Sequence, residues 1–136
     1  MANECIPYFA GAEQDTVVAG TAGVNGKRFV VNVGPLAIGL GIDGGVPTGN
    51  VAAAAGVAVM GVGSQDSAAG LAVGVWTHGV VPVTCSAAIT GGTNVMTDAT
   101  GQATPWVTGA TPENQIAGVA IGDTALGADA PIRLLG

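Results

Sequence analysis

Residues 71–84 read Leu-Ala-Val-Gly-Val-Trp-Thr-His-Gly-Val-Val-Pro-Val-Thr. Over 71–77 the apolar side chains fall at every second position, with Leu71, Val73 and Val75 on one face. A period of two belongs to a strand, because successive side chains of extended backbone point to opposite faces. His78-Gly79 then reads as a turn that places His78 in a loop, and 80–84 as a second β-branched strand.

The same pattern extends in both directions. Residues 28–33 form a β-branched run preceded by Asn25-Gly26. That pair suits the positive φ angles of a tight hairpin turn, so 16–22 is expected to pair back against 28–33. Further strands are expected at 36–42, 56–62, 87–90, 94–97, 103–107, 115–121 and 131–135, separated by Gly, Asp, Asn and Ser clusters. Helical spacing is not sustained in any window; the Val-Ala-Ala-Ala-Ala run at 51–55 is left open between strand and short helix. The expectation is an all-β fold, a compact β-sandwich or small β-barrel spanning 16–136. A weak internal repeat matches Gly56-Val-Ala-Val59 with Gly118-Val-Ala-Ile121, each followed by a turn and another strand. It suggests a duplicated hairpin.

Residues 1–15 differ. They carry Glu4, Glu13 and Asp15 together with Tyr8 and Phe9, and Pro7 does not suit a central strand. They are expected to form an extended N-terminal arm outside the core. Large apolar side chains on such an arm need a surface to dock on. Ile6, Pro7, Tyr8 and Phe9 are therefore the candidate binding residues.

Composition excludes several functions. The chain has 136 residues, 49% hydrophobic but only 9% charged, and 24 are glycine. A charged residue content well below the usual ~25% rules out solvated disorder. The net charge is -6, and the only cations are Lys27, Arg28 and Arg133. Three cations cannot displace the counterions of a phosphate backbone, so no nucleic-acid partner is expected. An anionic membrane surface is excluded on the same ground. Mean hydropathy is +0.56, yet the apolar run at 51–63 is too short to span a bilayer and 67–97 is interrupted by polar clusters and proline. No membrane partner is expected. The N-terminus lacks a basic and apolar leader pattern, which reads as synthesis in the cytoplasm. Cys5 and Cys85 are expected to stay reduced and unpaired, Cys5 in the arm and more reactive than Cys85 in the core.

Reactive side chains are sparse. Gly39-Leu-Gly41-Ile-Asp-Gly44 fits a dinucleotide-binding pattern, but Val46 and Pro47 follow where a helix would have to begin. His78, with Ser64, Ser67, Ser86 or Cys85 and Asp66, forms no recognisable catalytic spacing. One His and two Cys do not complete a zinc site, and the aspartates sit singly in turns. No catalytic residue, metal or cofactor is expected, and the chain reads as a structural or binding module, not an enzyme.

Several segments together carry a family resemblance: Asn3-Glu-Cys-Ile-Pro-Tyr8, Asn25-Gly-Lys-Arg-Phe-Val30, Gly79-Val-Val-Pro-Val-Thr84, Ala88-Ile-Thr-Gly-Gly-Thr-Asn-Val95, Thr97-Asp-Ala-Thr-Gly-Gln-Ala103 and Ile116-Ala-Gly-Val-Ala120. In their order and spacing they resemble the small capsid-decoration (head-stabilising) proteins of tailed double-stranded DNA phages. The resemblance implies a β-rich homotrimer on the outer capsid surface of the virion. Its partner would be the major capsid protein, and its role to stabilise the head against DNA pressure. A phage tail or fibre module, or another β-rich adhesion module, is the alternative.

Overall fold

β-branched residues and closely spaced turns give the chain ten short strands among the described residues and no α-helix there. The computed structural model describes residues 4–8, 12–32, 48–52, 55–107 and 115–134. The strands are β1 (Glu13–Ala19), β2 (Phe29–Asn32), β3 (Thr48–Val51), β4 (Gly61–Gly63), β5 (Ala72–His78), β6 (Val80–Thr84), β7 (Asn94–Thr97), β8 (Ala103–Pro105), β9 (Gly118–Ala120) and β10 (Asp129–Leu134). The fold is all-β, as expected. β1, β3, β2, β4 and β5 close into a barrel, and β6, β10, β9, β7 and β8 form a second five-stranded sheet.

The two sheets repeat one another. In the barrel, neighbours run β3–β2–β4–β5–β1, each pair antiparallel; in the second sheet they run β8–β7–β9–β10–β6, again antiparallel throughout. The registers match as well. Phe29 faces Val62 and Val62 faces Trp76, as Asn94 faces Val119 and Val119 faces Arg133. A parallel pairing of Ala19 with Gly49 closes the barrel; a single parallel bridge of Cys85 to Ala103 stands at the same place in the second sheet. The turns correspond too. Asp66 accepts a hydrogen bond from Gly26 N at 3.0 Å, and Asp123 accepts one from Gly91 N at 2.7 Å. Lys27 and Gly92 follow, both at positive φ, 61° and 87°. The lysine tolerates a backbone conformation that glycine adopts freely.

Each sheet has an apolar inner face. Val17, Ala19, Val24, Val30, Val73 and Val75 fill the barrel. Their counterparts Val83, Cys85, Ile89, Val95, Ala130 and Ile132 lie in a larger core. That core also takes in the outward row of the barrel, Phe29 and Val62 with Trp76 packed against them, and it joins the two sheets. The joint needs close backbone approach. Phe29 N donates to Gly101 O at 2.7 Å, and a Cβ on Gly101 would stand 2.7 Å from Val51 Cγ2. At φ +83° this position suits glycine on both counts. Lys27 Nζ meets Asp129 Oδ2 at 2.8 Å across the same joint, and Thr84 Oγ1, beside Asp129 in the second sheet, donates to its Oδ1 at 2.9 Å.

Several local expectations are corrected. Residues 16–22 do not form a hairpin with 28–33. β1 pairs with β5 and β3, because Gly26 is held by Asp66 and bridged to Gly63 instead of turning a two-residue hairpin. Val73 and Val75 are buried as read, but Leu71 precedes the strand and is 59% exposed. Residues 87–90 contribute only an isolated bridge between Ile89 and Thr124. Of 56–62, only 61 and 62 are in a strand. The repeat is real but registered differently: β4 corresponds to β9, so Gly61 and not Gly56 matches Gly118. β3 ends at Val51, and Ala53 and Ala54 lie outside the described residues. The expected strand at 36–42 and the Gly39–Gly44 pattern also lie outside them.

Candidate docking surface

The segment 4–8 does not lie apart from the β domain. It runs along β6 and under Trp76. Cys5 N donates to Ser64 O at 2.7 Å, Trp76 Nε1 donates to Cys5 O at 2.9 Å, and Tyr8 N donates to Val80 O at 2.9 Å. Cys5 Sγ points to Pro82 O at 3.5 Å. This backbone anchoring sorts the side chains. Cys5 turns into the core at 2% exposure, while Ile6 at 64% and Tyr8 at 50% face outward. Pro7 is half-buried, and Phe9 lies outside the described residues. The arm boundary at residue 15 falls inside a strand, since β1 begins at Glu13.

The burial of Cys5 overturns the expected reactivity order. Both thiols are unpaired, and both are buried. Burial pushes the Cys5 thiol up to about 12, with the nearby Lys27 ammonium acting in the opposite direction. Burial also raises Cys85, whose Sγ is placed against Ala125 O and Ala128 O. Neither thiol is a poised nucleophile. Tyr8 is raised too, by partial burial first and by the Asp129 carboxylate second.

Beside the anchored segment an open groove is lined by Glu4, Ile6, Pro7, Gln14, Gly74 and Trp76. Gly74 matters here, because the Gln14 side chain lies across it where a Cβ would stand. The groove thus joins the exposed Ile6 side chain to the start of β1, whose first four residues are all exposed. A second depression, between 21–25 and 66–69, is lined by small side chains and Asp66, and that carboxylate holds Gly26 N.

The side chains weighed for catalysis are scattered over the fold. His78 closes β5, where a loop was expected, and its Nδ1 stands 3.1 Å from Thr77 Oγ1 and 3.2 Å from Glu13 Oε2. Ser67 Oγ donates to Ala68 O, and Ser86 hydrogen-bonds Asp98. Among the described residues no three His, Cys, Asp or Glu side chains are grouped as metal ligands would be, and no helix is long and apolar enough to cross a membrane.

The fold has a known counterpart. The chain is similar to the N base of the head fibre protein gp8.5 of bacteriophage phi29, with a TM-score of 0.66 at 19% identity over 90% of this chain and 93% of that one. No protein-family model matches the chain, and no curated protein does. At that identity the likeness is one of fold, and it extends across both sheets.

Sequence reasoning picked out Ile6 and Tyr8 as surface residues but missed what fixes them. The fixing elements are Cys5 in the core, the Trp76 indole on the Cys5 carbonyl, and the β6 edge. An apolar residue two before Pro7 and an indole in an otherwise aromatic-poor chain were the available signals.

Proposed function

We propose that this chain is a structural protein of a phage virion, seated on the outer surface of the capsid as a homotrimer, where it stabilises the head against DNA pressure and performs no catalysis. The observation that carries this reading is the fold likeness to the base of a phage head fibre over nearly the whole of both chains. The sequence resemblance to capsid-decoration proteins supports it independently. So does the surface: acidic overall, with the exposed Ile6 and Tyr8 side chains held on one anchored segment.

In this reading Ile6 and Tyr8, with Pro7 between them, are the anchors that meet the major capsid protein. Because Cys5 and Tyr8 are tied to the protein's own backbone, these side chains are presented already ordered, which lowers the entropy lost on docking. Trimerisation multiplies a modest single contact by avidity. The direct experiment is cosedimentation with undecorated heads of the phage that encodes the chain. The native protein is expected to pellet with heads at saturating stoichiometry, and the Ile6→Ser/Tyr8→Ser variant to bind at least about tenfold more weakly. A native protein left in the supernatant would refute the reading. Light scattering of the decorated and free protein tests the trimer.

A further inference from the structure

We propose that Asn25 is a latent deamidation site, its side-chain amide kept from reacting with the Gly26 nitrogen by the hold of Asp66 on that nitrogen. The inference goes beyond the capsid reading and does not depend on it.

Asn25 is the only asparagine of the chain that is followed by glycine. The chemistry is a ring closure. The Gly26 nitrogen gives up its proton and bonds to Asn25 Cγ, the Cγ–Nδ2 bond breaks, and the amide nitrogen leaves as ammonia. Water then opens the succinimide. Attack at Cγ leaves an aspartate, and attack at the backbone carbonyl leaves an isoaspartate, whose main chain runs through Cβ and Cγ. A glycine after the asparagine puts no side chain in the way and turns freely into the geometry of attack. Asparagine is one of the thermolabile residues.

The fold withholds both requirements. Asp66 Oδ1 accepts from Gly26 N at 3.0 Å. The N–H is engaged by a carboxylate, and a neighbouring negative charge disfavours loss of its proton. The backbone on each side is pinned. Val24 N donates to Ser67 O at 3.0 Å and Ser67 N to Val24 O at 2.7 Å; Lys27 N donates to Gly63 O at 3.1 Å and Lys27 O accepts from Thr84 N at 3.0 Å. Gly26 itself is buried and bridged to Gly63. Reaction therefore requires local opening of this turn.

The internal repeat shows that the hold is built in and the asparagine is not. Asp123 holds Gly91 N at 2.7 Å, and Ile89 pairs with Thr124 as Val24 pairs with Ser67. There the residue before the glycine is Thr90, which has no amide to lose. The consequence of conversion falls on the joint between the sheets. An isoaspartate lengthens the main chain between Val24 and Lys27, so the flanking bonds cannot all keep their register. Lys27 also carries the 2.8 Å contact to Asp129.

The test follows residue 25 by peptide mass spectrometry in mildly alkaline buffer, reading the exchange of NH2 for OH and separating aspartate from isoaspartate by chromatography. Native protein in denaturant is expected to convert, and folded native protein to convert at least about tenfold more slowly. Asp66→Ala, shown to be folded by circular dichroism, is expected to convert at least about tenfold faster than folded native protein. Asn25→Thr copies Thr90, and is expected to fold and give no product at this place. Native protein converted in denaturant and then refolded is expected to show a lower Tm than Asn25→Thr carried through the same steps; equal values would overturn the effect on the joint. Should Asp66→Ala fail to fold, hydrogen exchange of native protein decides: the Gly26 amide is expected to exchange slowly, and fast exchange overturns the inference. A denatured chain that does not convert, or folded native protein that converts as fast as the denatured chain, overturns it as well. So does a folded Asp66→Ala variant that converts at the native rate or more slowly, the slower rate making Asp66 the base that starts the ring closure. None of these results bears on the capsid reading.

Discussion

Two matching rows of residues have opposite surroundings. Phe29, Val62 and Trp76 cross the barrel wall facing outward; Asn94, Val119 and Arg133 cross the second sheet in the same register. The first row is packed into the joint between the sheets, with Phe29 and Val62 fully buried; Arg133 in the second is exposed. The backbone places both rows alike, so it is the neighbour that decides their chemistry. A repeated unit needs an apolar face where another unit covers it and a polar one where the array ends. An end left apolar would invite open-ended association.

The largest expected effect breaks this comparison most directly. Phe29→Ala should cost about 3–5 kcal/mol of stability in denaturant unfolding, as for other buried phenylalanines. Asn94→Ala, at the matching place, should stay within about 0.5 kcal/mol, as surface changes usually do. Equal losses would mean the two rows are not differently employed.

Second in size is removal of residues 2–12. An arm outside the core, as the sequence suggests, would leave folding intact when removed. With Cys5 in the core and β6 edge groups paired to it, the truncated protein is expected to lose roughly 2–4 kcal/mol, read as a lowered Tm. A truncated chain as stable as the full one would show that the β6 edge needs no cover.

Strand content and most strand positions could be read in the sequence because each strand holds β-branched residues and many boundaries are Gly or Asp turns. β6 and β7 fall where expected to the residue. What could not be read was pairing. Asn25-Gly26 resembles a hairpin turn, but the partner of Gly26 is Asp66, forty residues away, and local propensity holds no information about it. Burial of Cys5 was hidden for the same reason, since only the folded β6 edge makes a place for it. The exposed pair Ile6 and Tyr8 was readable as apolar side chains in a segment with no strand or helix period.

The joint between the sheets also has a pH signature. Cys5 is raised from its ordinary value to about 12, so above pH 9 the unfolded chain releases a proton that the folded chain keeps. Stability should therefore fall as pH rises from about 9 to about 12, and Cys5→Ala should flatten that part of the profile relative to native protein. An unchanged slope would mean the thiol is not buried in solution. Under native conditions both cysteines should react slowly with a thiol reagent, and quickly once denatured.

A smaller effect is expected at the turn after β7. Asp98 Oδ1 accepts from Thr100 N, Thr100 Oγ1 and Gln102 N, all within 2.8–2.9 Å. Burial pushes its pKa up, but hydrogen bonds from Ser86, Thr100 and Gln102 together outweigh it and hold the carboxyl below its usual value. Its contribution is present above the unfolded-state value and lost as pH falls below it. Asp98→Ala should cost about 1 kcal/mol at neutral pH and less in acid. Smallest of all, Lys27→Gly copies Gly92 and should be near neutral, with relief of positive φ offsetting the lost Asp129 contact.

The central claim is that this acidic two-sheet protein is a coat component of a phage head. The measurement that tests it most directly is a low-resolution electron cryomicroscopy map of heads with and without the chain. The expected result is added density at regular positions on the outer shell, with the face carrying Ile6 and Tyr8 toward the capsid. Identical maps, or density confined to the tail, would contradict it.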